Sequence, residues 1–173
     1  MRVLLGQDDF QFYNIKLASD NQFIRLGGTL SLVGNQNLLV ESSEADISQF
    51  LKLIATPLTV QGKTRLFLEM KGTAESPFIE GMVSIIGGKV NEYDFQGVDV
   101  NVSYENQLFM FIASLNYDKT NSLVAIGSIP LNLSLTNDQQ ILNYDKPIDV
   151  NLKADGLDFS VLQAFSEDVR KVK

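Results

Sequence analysis

Thr64-Arg65-Leu66-Phe67-Leu68-Glu69-Met70-Lys71, running on into Gly72-Thr73-Ala74-Glu75-Ser76-Pro77-Phe78-Ile79-Glu80-Gly81, decides the fold. Leu66, Leu68 and Met70 alternate with Arg65, Phe67, Glu69 and Lys71. A period of two puts alternate side chains on opposite faces, so this is a strand with one apolar and one wet face. Gly72 and Gly81 permit tight turns, and Pro77, which has no N–H, blunts ladder pairing where the chain must reverse.

The same alternation extends in both directions. Ile24, Leu26, Gly28, Leu30 and Leu32 share a face, as do Val98, Val100, Val102 and Tyr104. Ile129, Leu131, Leu133 and Leu135 repeat it, and so do Ile148, Val150, Leu152 and Ala154. Turn formers separate the runs: Ser19-Asp20-Asn21, Gly34-Asn35-Gln36-Asn37, Gly87-Gly88, Glu105-Asn106, Asp118-Lys119-Thr120-Asn121 and Thr136-Asn137-Asp138. Together they predict an all-β meander of roughly ten to twelve antiparallel strands. Phe10 to Leu17 changes phase at Tyr13, which predicts a bulge.

Two segments depart from the rule. Asp46 to Ile54 and Leu157 to Phe165 carry apolar residues at helical spacing, the first behind an Asp46 cap. Superposing Asp46 on Asp158 aligns Ile47 with Phe159, Ser48 with Ser160, Phe50 with Leu162 and Leu53 with Phe165. Leu38 and Val40 then fall on Val150 and Leu152, and the Gly28-led strand matches the Gly127-led strand. This is a weak internal repeat, residues 20–62 against 120–173, of a kind found in modular, elongated proteins. We therefore expect residues 1–173 to form a single module, cut at both ends from something longer.

Composition excludes several kinds of chemistry. The 173 residues include no Cys and no His, which removes disulfides, thiolate sites, the usual general base and the usual transition-metal ligand. With 14 Lys+Arg against 21 Asp+Glu the net charge is −7. An acidic surface repels phosphate backbones, so no nucleic-acid partner is expected. The carboxylate pairs Asp8-Asp9, Asp94 with Asp99, and Asp155 with Asp158 sit among turn formers or on wet strand faces, where Asp is an ordinary choice. Lys63, Lys71 and Lys89 lie apart from any serine motif, and Gly27-Gly28 and Gly87-Gly88 precede no helix, so no phosphate loop forms and the two pairs read as bulges or tight turns. The expectation is a non-enzymatic chain without cofactor or metal.

What remains is the apolar face. A sandwich would cover it with its own second half. A sheet folded over but not closed would leave a groove for an acyl chain. The alternation is the same for both, and filled cores are the norm. A closed lipocalin-like barrel and a spacer or docking module that adds a partner strand at the sheet edge are further readings of one pattern.

The stretch Thr64 to Gly81 resembles the signature of the TamB family: a strand ending in Gly72-Thr73, three variable residues, Pro77, and a Gly81 that opens the next strand. Gly127-Ser128-Ile129-Pro130-Leu131 resembles the family's Gly-x-x-Pro strand start. Gly156-Leu157-Asp158-Phe159-Ser160-Val161-Leu162 resembles its helix entry, with Ile47 to Leu53 as the other copy. The resemblance spans about Gly28 to the end. It implies a fragment of an inner-membrane-anchored protein in the periplasm of diderm bacteria, distantly related to AsmA-like and bridge-like lipid carriers. It further implies an elongated sheet curled into an open taco with an apolar interior, serving phospholipid movement or outer-membrane protein assembly. A β-barrel assembly protein is the implied partner beside lipid, and the isolated piece is expected to self-associate edge to edge. The residues expected to line the groove are Leu30, Leu32, Leu66, Leu68, Met70, Val83, Ile85, Val100, Val102, Leu108, Met110, Ile112, Ile129, Leu131, Leu133, Val150 and Leu152.

Overall fold

In the computed structural model the described residues are 2–19, 22–48, 60–90, 93–136, 141–143 and 145–156. They form one antiparallel sheet of ten strands laid down in chain order. The strands are β1 (Arg2–Leu5), β2 (Asp9–Ser19), β3 (Gln22–Ser31), β4 (Asn37–Asp46), β5 (Val60–Gly72), β6 (Pro77–Val90), β7 (Tyr93–Glu105), β8 (Leu108–Asn116), β9 (Ser122–Pro130) and β10 (Asp149–Asp155). Among the described residues β1 pairs with β2 alone and β10 with β9 alone, so the sheet does not close. Among the described residues only Ile47 and Ser48 are helical, with the Ser48 N–H donating to the Asp46 carboxylate at 2.9 Å. Most of the two predicted helices lies outside the described residues.

The quoted stretch forms β5, a turn and β6. Gly72 ends β5 at φ +82°, a conformation that L side chains rarely adopt, and the Thr73 hydroxyl accepts from the Ser76 N–H at 3.0 Å. Pro77, and not Gly81, opens β6, because the first residue of a strand tolerates a missing N–H. Gly81 sits inside β6, paired with Leu68.

The phase change in β2 is a bulge: register slips between Phe12 and Ile15, with Asn14 at φ +48°. Of the two readings open for Gly87-Gly88, bulge or tight turn, the register shows the bulge. It lies within the 14 residues of β6, with Gly87 at φ +53°, opposite a register shift at Gly62/Lys63. Bulges of this kind re-aim a strand without ending it. Gly127-x-x-Pro130 also differs from expectation, since it closes β9 and does not begin a strand.

The Asp118 turn joins β8 to β9. Its carboxylate accepts from the Thr120 N–H at 2.8 Å, the Asn121 N–H at 2.8 Å and the Asn121 side-chain amide at 2.6 Å. The backbone N–H of Thr120 is the chief cause of a pKa held below the ordinary 3.8, and the Asn121 donors add to it against the opposing effect of desolvation. A depressed carboxylate stabilises the fold above its unfolded pKa, and that contribution is lost as pH falls through the folded value. A 13C carboxyl titration of Asp118 should therefore show a midpoint below 3.8; a midpoint at or above it would remove the turn's role.

Among the described residues few apolar side chains are buried: Ile15, Ala45, Ile47, Ala74, Val90, Phe95, Tyr104 and Leu115. Val90, Phe95 and Leu115 cluster at one end of the strands with Val60, Ile85, Val98 and Leu123 packed against them. Tyr104, Ala74 and Pro130 are buried towards the other end, where the β3–β4, β5–β6 and β9–β10 connections meet.

Candidate functional site

Antiparallel partners point the same way, so the register converts ten strands into rows of side chains on one face. One row reads Ile15, Leu26, Val40, Leu68, Gly81, Val102, Phe111, Gly127 and Val150, crossing from β2 to β10 without a polar residue. Beside it run Leu17, Ile24, Ser42, Leu66, Val83, Val100, Ala113, Ala125 and Leu152. On its other flank run Val3, Phe12, Gly28, Leu38, Met70, Ile79, Tyr104, Phe109 and Ile129. No row carries a charge. At about 4.8 Å per strand, each of these nine-strand rows runs roughly 38 Å.

The few polar atoms on this face are turned to the backbone. The Ser42 hydroxyl accepts from the Leu66 N–H at 3.1 Å, and the Thr64 hydroxyl donates to the Ser84 carbonyl at 3.3 Å. No buried side-chain nitrogen or oxygen among the described residues lacks a partner. The surface offered is hydrocarbon. Glycine shapes it: a Cβ on Gly127 would meet the Phe111 ring at 2.7 Å and the Asp149 carbonyl at 2.8 Å. Most of the central residues are half-buried by their neighbours, and the face emerges at both edges, where Leu17 is 59 % and Leu152 60 % exposed.

The opposite face is wetter. Arg25 pairs with Glu41 at 3.0 Å, and the Ser84 hydroxyl donates to the Asp99 carboxylate at 2.6 Å. Among the described residues no three His, Cys, Asp or Glu converge as metal ligands would.

Of the seventeen lining residues expected from sequence, Leu30, Leu66, Leu68, Met70, Val83, Ile85, Val100, Val102, Ile129, Val150 and Leu152 share the apolar face through the register. Leu32 lies just past β3, its N–H donating to the Asp8 carbonyl at 2.7 Å. Leu108, Met110 and Ile112 are corrections: they pair with Glu105, Ser103 and Asn101 and stand on the opposite face. There Met110 and Ile112, with Ile126, floor a shallow depression of about 560 Å3 rimmed by Asn101, Ser128, Asp149 and Asn151. Leu131 and Leu133 are corrections too, since β9 ends at Pro130 and both leave the sheet in the segment that follows.

Sequence reasoning missed Phe109, Phe111 and Leu115, which occupy the face where Met110 and Ile112 were expected. The signal was there. Asn106 and Gln107, at φ +54° and +61°, make a two-residue hairpin that pairs Glu105 with Leu108 and so fixes the phase of β8.

No protein-family model matches the chain, and searches of the curated proteins and of the solved structures found no match.

Proposed function

We propose that this chain is a non-enzymatic module whose apolar face carries the acyl chains of phospholipid, as part of a periplasmic, inner-membrane-anchored protein working in lipid transport or outer-membrane assembly. The observation that carries this is the set of uncharged rows crossing nine strands each, in a chain whose described strands all belong to one sheet. The resemblance of Thr64 to Gly81 to the TamB signature supports the choice of lipid and compartment, and a sheet curled around its apolar side is the shape that reading implies.

The mechanism is passive. Burying a tail contributes about 0.8 kcal/mol per methylene, without a directional bond. A face with its hydroxyls already satisfied offers no deep polar trap, so a tail can shift from strand to strand while its head group stays in water. Monomeric soluble proteins seldom leave apolar patches of this extent open.

A second reading has its own observation. Among the described residues β1 and β10 each have one unpaired edge, which could accept a partner strand or a second copy. Native mass spectrometry on protein purified without detergent, followed by lipid extraction, separates the two. Phospholipid adducts are expected; a bare or partner-bound mass would sink the lipid reading in favour of docking.

A further inference from the structure

The chain leaving β9 does not go straight to β10. Residues 131–135 cross back over the strand ends. The Leu131 N–H donates to the Gln107 carbonyl at 3.1 Å, in the β7–β8 turn. Next comes Tyr104 of β7, whose hydroxyl donates to the Leu131 carbonyl at 3.3 Å and accepts from the Leu133 N–H at 2.9 Å. The Leu135 N–H then reaches the Ala74 carbonyl at 2.8 Å, in the β5–β6 turn, and the Ser134 hydroxyl donates to the same oxygen at 3.4 Å. Ala74 is itself tied down, its N–H donating to the Gly34 carbonyl at 2.8 Å.

The segment is long enough for this crossing. Five residue steps from Pro130 to Leu135 span about 17 Å when fully extended. From β9 to the turn between β5 and β6 is three and a half strand spacings, also about 17 Å. The crossing lies on the apolar side, because Tyr104 shares a row with Ile79 and Phe109 and is only 2 % exposed.

We infer that residues 131–135 form a strap closing one margin of the apolar face over β5 to β9, with the Tyr104 hydroxyl as its latch. Tails enter this part of the face when the latch opens. The inference rests on the lipid reading above. A tyrosine hydroxyl that both donates and accepts is the one side chain spanning both strap bonds, and losing it leaves the Leu133 N–H without that acceptor.

Tyr104→Phe keeps the ring and removes the latch. Amide exchange at Leu133 should accelerate about tenfold or more, as expected for lost hydrogen bonds. Stopped-flow uptake of an environment-sensitive fluorescent fatty acid should accelerate by a similar factor, with the amount bound at saturation unchanged. Because the chain has no cysteine, Ala74→Cys with Leu135→Cys provides a converse test: oxidation should slow uptake and reduction restore it. Faster exchange with unaltered uptake in Tyr104→Phe, or equal uptake by the oxidised and reduced pair, overturns the strap as a gate and leaves the lipid reading intact. A wild-type chain that takes up no fatty acid overturns the lipid reading itself.

Discussion

Val83→Asp is expected to cut the phospholipid carried by the chain at least tenfold, while Met82→Asp leaves it unchanged. The two residues are consecutive in β6 and differ in face. Val83 pairs with Leu66 and Val100 in an apolar row; Met82 pairs with Phe67 and Asn101 on the wetter face and is 45 % exposed. A short carboxylate at Val83 cannot reach past its neighbours to water as a lysine could. It therefore hydrates the middle of the track. Displacing two or three methylenes of a bound tail forfeits about 2 kcal/mol, which is more than a tenfold loss of affinity. Native mass spectrometry reads the loading, and circular dichroism shows that both variants keep their strands. Equal loading in the two variants would sink the assignment of the apolar face as the binding surface, because the substitutions are chemically alike and only the pleat separates them.

The fold was most legible where one face of a strand was polar. β5 and β7 alternate so regularly that their apolar-face residues, Leu66, Leu68 and Met70 with Val98, Val100 and Val102, follow from the letters alone. β8 was not legible this way. Leu108-Phe109-Met110-Phe111-Ile112 is apolar on both faces, so alternation has no phase there, and only the turn geometry supplies one. β9 misled for another reason. Ile129, Leu131, Leu133 and Leu135 keep a period of two, yet Pro130 is the last residue of the ladder. The segment beyond it keeps the alternating letters outside the ladder, so an alternating pattern does not by itself report membership of the sheet. The open form of the sheet was the least legible feature. A closed barrel, a sandwich and a sheet that does not close ask the same pattern of each strand, and what separates them among the described residues is which strands pair, which no local pattern encodes. The register places the aligned glycines in like positions of two antiparallel strand pairs, β3–β4 and β9–β10. Gly28 pairs with Leu38 as Gly127 pairs with Val150, and Leu26 with Val40 as Ala125 with Leu152.

Those glycines set the second large effect. Gly28→Ala is expected to destabilise the chain by about 3 kcal/mol or more, whereas Gly27→Ala, one residue earlier, changes stability by less than about 1 kcal/mol. Gly28 has φ +107°, and a Cβ there would overlap the carbonyl oxygen of Asn37 on the neighbouring strand. Strain in that backbone region costs about 1–3 kcal/mol before any steric term. The overlap is with main chain, which cannot swing aside as a flexible side chain could, so β4 has to move. Gly27 faces the other way, and a Cβ on it meets nothing within 4 Å. Replacing glycine there also lowers the entropy of the unfolded chain, a gain of up to about 1 kcal/mol. Urea unfolding at constant slope measures both. A matched, small effect at the two positions would mean that β3 and β4 do not approach through Gly28. The row Val3-Phe12-Gly28-Leu38-Met70 would then lose its close crossing between β3 and β4, and the apolar face would divide into two shorter patches, too short for the continuous track that the proposed lipid movement requires.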